Sequence, residues 1–341
     1  MRGGSDEELL VGVVALQERV EATLVATTPF GRLRFGGRRL VEDSDSLGAG
    51  SAGRTPGGDL AGETWLGCIA NAVAKLTFGM PAQRVRIGVA VDGVLDEVGA
   101  RPSGLFSTVD EPERRLAAAL RGRDVELAAP PAFVERPLAV ALGESSSALG
   151  ALADGQPGLV LLWDRAVWWV TVPGGAVVRD ARVEASELDY GFAALDRARG
   201  HAAGSERPTS PILTSARRGD ARAAALLSEA ARALAIAARR RLDELGPGAR
   251  LVLAGDLGRA TLDERLGAML RVPFEDVLAP RQNAEEVRSI DAAAAPDGDR
   301  DTDPNGAASE APPFHVSREN AAPAIGAAAW ALGGAKAGGE V

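Results

Sequence analysis

The stretch SARRGDARAAALLSEAARALAIAARRRLDELGPGARLVLAGDL, residues 215–257, decides how this chain folds. Its apolar residues recur at helical spacing and predict one long helix from about Asp220 to Leu245. Gly246-Pro247-Gly248 ends that helix, because glycine and proline cannot continue it. The apolar run at 250–258, RLVLAGDLG, then predicts a buried strand that enters a glycine turn.

The rest of the chain repeats one scheme twice, since each half begins with paired strands and continues with helices. Strands are predicted at 9–16, 20–27, 32–37, 84–93, 158–163, 166–172 and 176–178, and helices at 63–79, 110–120 and 321–332. Residues 132–152 indicate a short strand-like piece followed by a helix, and the Gly-, Ser- and Asp-rich stretch 42–61 indicates a loop. This order resembles the duplicated actin-like ATPase architecture. The expected fold class is therefore α/β: a two-lobed actin-like ATPase (ribonuclease H-like) fold, each lobe a mixed β-sheet flanked by helices.

The length of 341 residues and the 46% hydrophobic content suit two lobes with sizeable cores. We expect a first lobe at 1–150, completed by a C-terminal helix at 317–335, and a second lobe at 151–280. Residues 281–313 are acidic and rich in Ala, Pro and Gly, which predicts a disordered insertion.

Charge and cysteine content exclude several classes of protein. The net charge of -9 argues against a general nucleic-acid or membrane-surface binder. The one cysteine, Cys68, allows neither an internal disulfide nor a cysteine-built zinc site. No signal-like start and no apolar run of roughly 18 residues is present, so a cytoplasmic protein is expected.

Five stretches, in this order along the chain, resemble motifs of one family. RIGVAVDGVLDEVG (86–99) resembles IGVAVPGVVDxxG with Asp92 in place of proline, and FVERPLAVALGE (133–144) resembles VENDxNxAALGE. VEASELDYG (183–191) resembles the GEIGH or GEIGY segment. The Gly-Asp, long helix and strand of the opening stretch, and the ending HVSRENAAPAIGAAAWAL (315–332), resemble two more. Together they resemble the ROK family, which groups bacterial repressors, uncharacterised reading frames and sugar kinases.

The resemblance implies that the catalytic base is missing. In the family, the aspartate of the VEND segment takes the proton from the sugar hydroxyl, which requires a carboxylate. The matching residue here is Arg136, preceded by Glu135 where the family has asparagine. Arginine stays protonated at any working pH, so no confident catalytic residue remains. A shifted alignment would leave Glu135 or Glu144 as the alternative base.

Both phosphate-binding turns of the family also differ here. The first strand of the family ends in an acidic residue and a glycine pair, whereas this chain has Val14-Ala15-Leu16-Gln17-Glu18. The second turn, GTGxGxG, is replaced by Arg165-Ala166-Val167-Trp168-Trp169. Glycines let backbone N–H groups approach phosphate, and indoles do not. We therefore predict that Trp168 or Trp169 blocks the nucleotide cleft, only one of them pointing into it because side chains alternate along a strand.

Three family positions imply binding residues. Glu187 matches the glutamate that bonds sugar hydroxyls, Tyr190 replaces the histidine of the zinc site, and Gly255 matches a turn near the nucleotide base. The resemblance thus implies substrate contacts at Glu187 and Tyr190, a nucleotide contact at Gly255, and no metal site. The alternatives are a helix-start acid for Glu187 and a packing residue for Tyr190.

These features predict a ROK-family protein that is catalytically inactive and acts as a regulatory or interaction domain, without cofactor or zinc. One alternative is an ATP-dependent hexose-type kinase with a divergent site, which would use ATP and Mg. Another is a non-catalytic sugar sensor, part of a transcriptional regulator whose helix-turn-helix is missing from this chain. The expected partners are a sugar or sugar derivative and a second copy in a homodimer, with no direct DNA binding and no membrane.

Overall fold

The computed structural model describes residues 8–16, 19–43, 58–80, 84–91, 109–152, 156–174, 181–200, 211–279, 314–317 and 321–337. Within these residues the chain forms ten strands and nine helices. The strands are β1 (Leu9–Ala15), β2 (Arg19–Thr27), β3 (Leu33–Asp43), β4 (Val85–Val91), β5 (Ala132–Glu135), β6 (Gly158–Trp163), β7 (Val167–Val172), β8 (Arg182–Ala185), β9 (Arg250–Ala254) and β10 (Phe314–Val316). The helices are α1 (Gly58–Thr77), α2 (Pro112–Arg121), α3 (Arg136–Ser146), α4 (Phe192–Ala198), α5 (Pro211–Arg217), α6 (Ala221–Leu245), α7 (Gly255–Ala260), α8 (Gly267–Leu278) and α9 (Ala322–Ala337).

The strands form two five-stranded sheets with the same order, β3-β2-β1-β4-β5 and β8-β7-β6-β9-β10. In each sheet the first three strands of the half are antiparallel, and the last two are added in parallel beside the first. This topology confirms the expected α/β fold class with two mixed sheets flanked by helices.

Several boundaries differ from those predicted. β3 continues to Asp43 past a bulge opposite Leu24, where Gly37 adopts a φ of 87°. α1 begins at Gly58, inside the stretch expected to be a loop. The predicted strand at 176–178 and the predicted disorder at 281–313 lie outside the described residues.

The first sheet is covered on one face by α1 and α2 and on the other by α3 and α9. α9 comes unusually close because glycines face it. A Cβ added at Gly12 or Gly88 would lie 1.8 Å from a backbone oxygen of α9. The small residues of this helix therefore allow backbone-to-strand contact that a larger side chain would prevent.

The second sheet packs one face on α6 and α8 and the other on the first lobe. Its helix-covered face contributes Trp163 and Trp169, both essentially inaccessible, and Trp163 meets Phe274 of α8 with ring centroids 6.4 Å apart. The opposite face packs against Val140 and Ala141 of α3. α3 therefore lies between the two sheets. No helix in the described part of the chain is long and apolar enough to cross a membrane.

Candidate functional site

The two lobes meet where α3 begins and the β6–β7 hairpin turns. Arg136, the first residue of α3, donates from Nη2 to Oδ2 of Asp164 in the turn. Only 12% of the Arg136 side chain and 10% of the Asp164 side chain are exposed. Burial between the lobes takes the guanidinium out of water, so it requires a close counter-charge, and Asp164 supplies it.

The hairpin turn bonds to itself and to α4. The N–H of Asp164 donates to the Ala166 carbonyl at 3.1 Å, and the N–H of Arg165 donates to Asp164 Oδ1 at 2.9 Å. From α4, the N–H of Phe192 donates to the Asp164 carbonyl at 2.9 Å. Gly191 lies so close that an added Cβ would be 2.2 Å from the Arg165 carbonyl oxygen. The turn is thus held in place by neighbouring backbone.

The tryptophans beside this turn have different environments. Trp163 is fully buried and donates from Nε1 to the Tyr190 carbonyl at 2.9 Å. Trp169 lies in the core beneath α6, so it is not the indole that faces the first lobe. Trp168 is half-buried on the opposite face, in register with Leu162 and within the cluster that contacts α3. Whether Trp168 covers a nucleotide cleft stays a prediction.

Arg241 connects the end of α6 to this sheet. Its guanidinium lies 5.2 Å from the ring centroid of Trp169, and its Nη1 donates to Glu184 Oε2 at 2.6 Å. This hydrogen bond holds the pKa of Glu184 below its usual range. The partner of Arg241 is therefore a carboxylate on β8.

The two alternative bases are buried at different places. Glu135 ends β5 in register with Val91, immediately before Arg136. Glu144 is 1% exposed, and its oxygens accept from the Ala151 N–H at 3.0 Å and the Ser317 hydroxyl at 2.5 Å. Eight residues of helix place Glu144 about 12 Å along the axis from Arg136. Glu144 is thus occupied in structural hydrogen bonds at the opposite end of α3 from Arg136.

The residues matched to sugar and nucleotide contacts are spread around the second lobe. Glu187 is exposed in the β8–α4 connection, and α4 begins only at Phe192, so the helix-start alternative is wrong. Tyr190 is half-buried against the second core. Gly255 has a φ of +85°, and a Cβ there would lie 2.5 Å from the Trp163 carbonyl oxygen. Packing alone therefore requires glycine at 255, and the binding roles stay predictions.

The first hairpin closes tightly. The N–H of Leu16 donates to the Arg19 carbonyl at 2.9 Å, and the N–H of Arg19 donates to the Leu16 carbonyl at 3.3 Å. Val14 and Leu16 are buried against Ala324 of α9. The strand end that would approach phosphate is therefore apolar and packed under a helix.

The polar groups of the β6–β7 turn bond mainly within the protein. Asp164 puts a carboxylate there, and two of the turn's N–H groups are already bonded within it. Among the described residues no group of three or more His, Cys, Asp or Glu could hold a metal ion. The thiol of Cys68 is buried in α1 and donates to the Thr64 carbonyl at 2.8 Å, and burial raises its pKa to about 11.

Comparison with known proteins identifies the fold. No family model and no curated protein matches the sequence. A ROK hexokinase structure from Thermus thermophilus is 18% identical, covers 97% of this chain and 100% of its own, and has a TM-score of 0.57. A ROK glucokinase structure from Streptomyces griseus, in complex with glucose and AMPPNP, is 16% identical with coverages of 95% and 99% and a TM-score of 0.54.

A ROK transcriptional regulator, described as a homologue of the E. coli MLC protein, is 12% identical with a TM-score of 0.52. This likeness covers 95% of the present chain and 78% of the regulator. The identities are low, and what the three structures have in common with this chain is the fold. The chain has the two-lobed actin-like ATPase fold seen in ROK-family structures, which confirms the fold that the motifs implied.

Proposed function

We propose that this chain is a ROK-family protein that does not phosphorylate sugars and serves as a regulatory or interaction domain. One observation carries the proposal. The residue at the family's base position, Arg136, forms a buried ion pair with Asp164 in the turn that replaces the second phosphate loop. The two groups that a kinase needs at this junction are a proton acceptor and phosphate-binding N–H donors, and both positions hold the wrong chemistry.

Charge makes Arg136 and the turn at Asp164 unsuited to these two roles. A general base must accept a proton from the sugar hydroxyl, and the guanidinium of Arg136 has no acceptor and stays protonated. A phosphate turn must offer N–H dipoles to negative oxygens, and here the Arg165 N–H already donates to the Asp164 carboxylate. The positive charge of Arg136 and the negative charge of Asp164 compensate each other, so neither side chain needs a bound ligand as its counter-charge.

The alternative base Glu144 does not restore the reaction. Both of its carboxylate oxygens already accept hydrogen bonds, and it lies about 12 Å along α3 from Arg136. The proposed protein accordingly needs neither ATP and Mg nor zinc. Its proposed partners are a sugar or sugar derivative near Glu187 and Tyr190 and a second copy of the chain, with no direct DNA or membrane contact, in the cytoplasm.

Calorimetry with ATP-Mg tests the proposal most directly, followed by a coupled ADP-release assay over hexoses and amino sugars. We expect no binding heat at millimolar ATP-Mg and no turnover, with an active ROK hexokinase as the positive control. Saturable ATP-Mg binding with turnover that Glu135→Gln or Glu144→Gln abolishes would instead establish the divergent kinase.

A thermal-shift screen separates a sugar sensor from a domain without a small ligand. A sugar held at 100 times its Kd should add about 2.7 kcal/mol to the stability of the folded state and raise the melting temperature. Glu187→Ala should remove that shift if Glu187 contacts the sugar. Glu126→Ala, between α2 and β5 of the first lobe and also exposed, is the matched control and should leave it intact.

A further inference from the structure

We propose that α3 is a joint fixed at both ends, which holds the two lobes in one relative orientation. The inference rests on the proposed function in one respect: a protein that encloses no nucleotide has no need of lobe closure. It goes beyond that function because it states that the two lobes do not move relative to each other. Three parts of α3 carry it: its apolar middle, its N-terminal tie and its C-terminal tie.

Every residue of α3 from Pro137 to Glu144 is buried, and this segment lies between the lobes. Towards the first lobe, Leu138 and Ala139 pack with Ala90, Val134 and Ala327. Towards the second lobe, the contacts are made by Val140 and Ala141, which pack with Val160, Leu162, Val170, Val172, Val252 and Ala254. Separation of the lobes would return this apolar surface to water, which opposes opening.

The N-terminal tie is the ion pair between Arg136 and Asp164. The two residues are 28 positions apart in sequence and belong to different lobes. Both side chains are nearly buried, so water screens the attraction between the two charges only weakly while the lobes stay together. Loss of a buried ion pair costs more free energy than loss of an exposed one.

The C-terminal tie is the carboxylate of Glu144. It accepts from the hydroxyl of Ser317, which follows the last strand of the second sheet, and from the N–H of Ala151 in the connection between the lobes. The Glu144 carbonyl also accepts from the Leu152 N–H at 3.1 Å. A hinge motion about α3 would have to break bonds at both of its ends and open the seam between them.

Hydrogen exchange measured by mass spectrometry on the full chain tests the N-terminal tie. The variants are Arg136→Ala, Asp164→Ala and the double variant. If the tie couples the lobes, each single variant should raise exchange about 10-fold or more in α3 and also in the β6–β7 hairpin, and the double variant should add little. Arg136→Lys should restore part of the protection because it returns the positive charge.

Arg239→Ala is the matched control, since it removes an exposed i,i+4 pair with Asp243 and should change no exchange rate at the seam. Ser317→Ala tests the second tie and should raise exchange near Glu144. Effects of Arg136→Ala and Asp164→Ala that stay within their own lobes, or that simply add in the double variant, would overturn the joint.

A distance measurement keeps the proposal testable even if the Arg136 variants do not fold. Spin labels at Arg121→Cys on α2 and Arg240→Cys on α6, in a Cys68→Ala background, report the separation of the lobes. Both positions are exposed. One narrow distance distribution, unchanged by glucose or ATP-Mg, is expected; two populations would disprove a fixed joint. Neither experiment depends on nucleotide binding, so failure here is distinct from failure of the calorimetric test.

Discussion

The two lobes have the same strand order but fill the space against their sheets in opposite ways. In the first lobe, Gly12 and Gly88 let the backbone of α9 approach so closely that a Cβ would lie 1.8 Å from its carbonyl oxygens. In the second lobe, Trp163, Trp169 and Phe274 fill the layer between sheet and helices with large side chains. The same strand order is therefore compatible with two kinds of packing between sheet and helices: close contact of the backbones, or filling by large side chains.

The difference sets how each lobe should fail. Where backbones are in contact, an added methyl group has no room and strains the structure. Where large rings fill the core, removal of a ring leaves a cavity. Substitutions that enlarge should therefore harm the first lobe most at its glycines, and substitutions that shrink should harm the second lobe most at its aromatic residues.

The largest effect is expected for Trp163→Ala. The ring is fully buried, contacts Phe274 and donates to the Tyr190 carbonyl. Loss of a buried aromatic side chain lowers the free energy of unfolding by about 3–5 kcal/mol. Urea denaturation followed by far-ultraviolet circular dichroism measures the change.

Trp168→Ala is the matched control for that substitution, since it removes the same side chain from the next strand. Trp168 is only half-buried, so we expect a loss of about 1–2 kcal/mol. Equal losses for the two tryptophans would contradict the asymmetry between the helix-covered face and the face towards the first lobe.

The next largest effect is expected for Gly88→Ala in the first lobe. The new Cβ would meet the Ala327 backbone oxygen at 1.8 Å, and α9 would have to move away from the sheet. Such overpacking lowers stability by about 1–3 kcal/mol, and by more where backbone must shift. The measurement is the urea midpoint at constant m-value.

Gly67→Ala provides the control, because nothing lies within 4 Å of a Cβ at this position of α1. Alanine is the better helix former there, so stability should rise by roughly 0.5–1 kcal/mol. If Gly88→Ala does not lower the free energy of unfolding relative to Gly67→Ala, the close approach of α9 does not determine the stability of the first lobe.

Much of the fold could be predicted from the sequence because long periodic segments carry their own signal. The helix expected from Asp220 to Leu245 is α6, with Asp220 as its N-cap accepting from the Ala223 N–H. The apolar runs of β1, β6 and β9 were similarly clear. The short elements between 182 and 278 were not predicted, since α4 and α5 have seven residues each and depend on tertiary contacts such as the Ile212 N–H to Asp196 bond.

The candidate site was predictable in chemistry but not in geometry. The sequence shows that Arg136 cannot be a base, and that no glycine turn precedes Trp168. It does not show that Arg136 meets Asp164, because the two are brought together only when the lobes assemble around α3. The prediction of an indole near the turn also could not choose between Trp168 and Trp169 without knowing which face of the sheet meets the first lobe.

The smallest effect concerns Cys68, which lies only in the first lobe and should make that lobe sensitive to alkaline pH. Burial raises the thiol pKa from its ordinary 9.0 to about 11. The folded state therefore holds the proton more tightly than the unfolded state. The stabilisation is complete below pH 9, is lost as the pH rises, and is gone once the pH passes 11. At pH 10 the loss is about 1.4 kcal/mol.

Urea midpoints of wild type and Cys68→Ala between pH 8 and pH 10 measure this loss. The midpoint of the variant should fall less steeply with pH, because alanine does not titrate. Parallel pH profiles for the two proteins would mean that the thiol ionises equally easily in the folded and unfolded states, and that the first core at α1 is less closely packed than the contacts of Cys68 indicate.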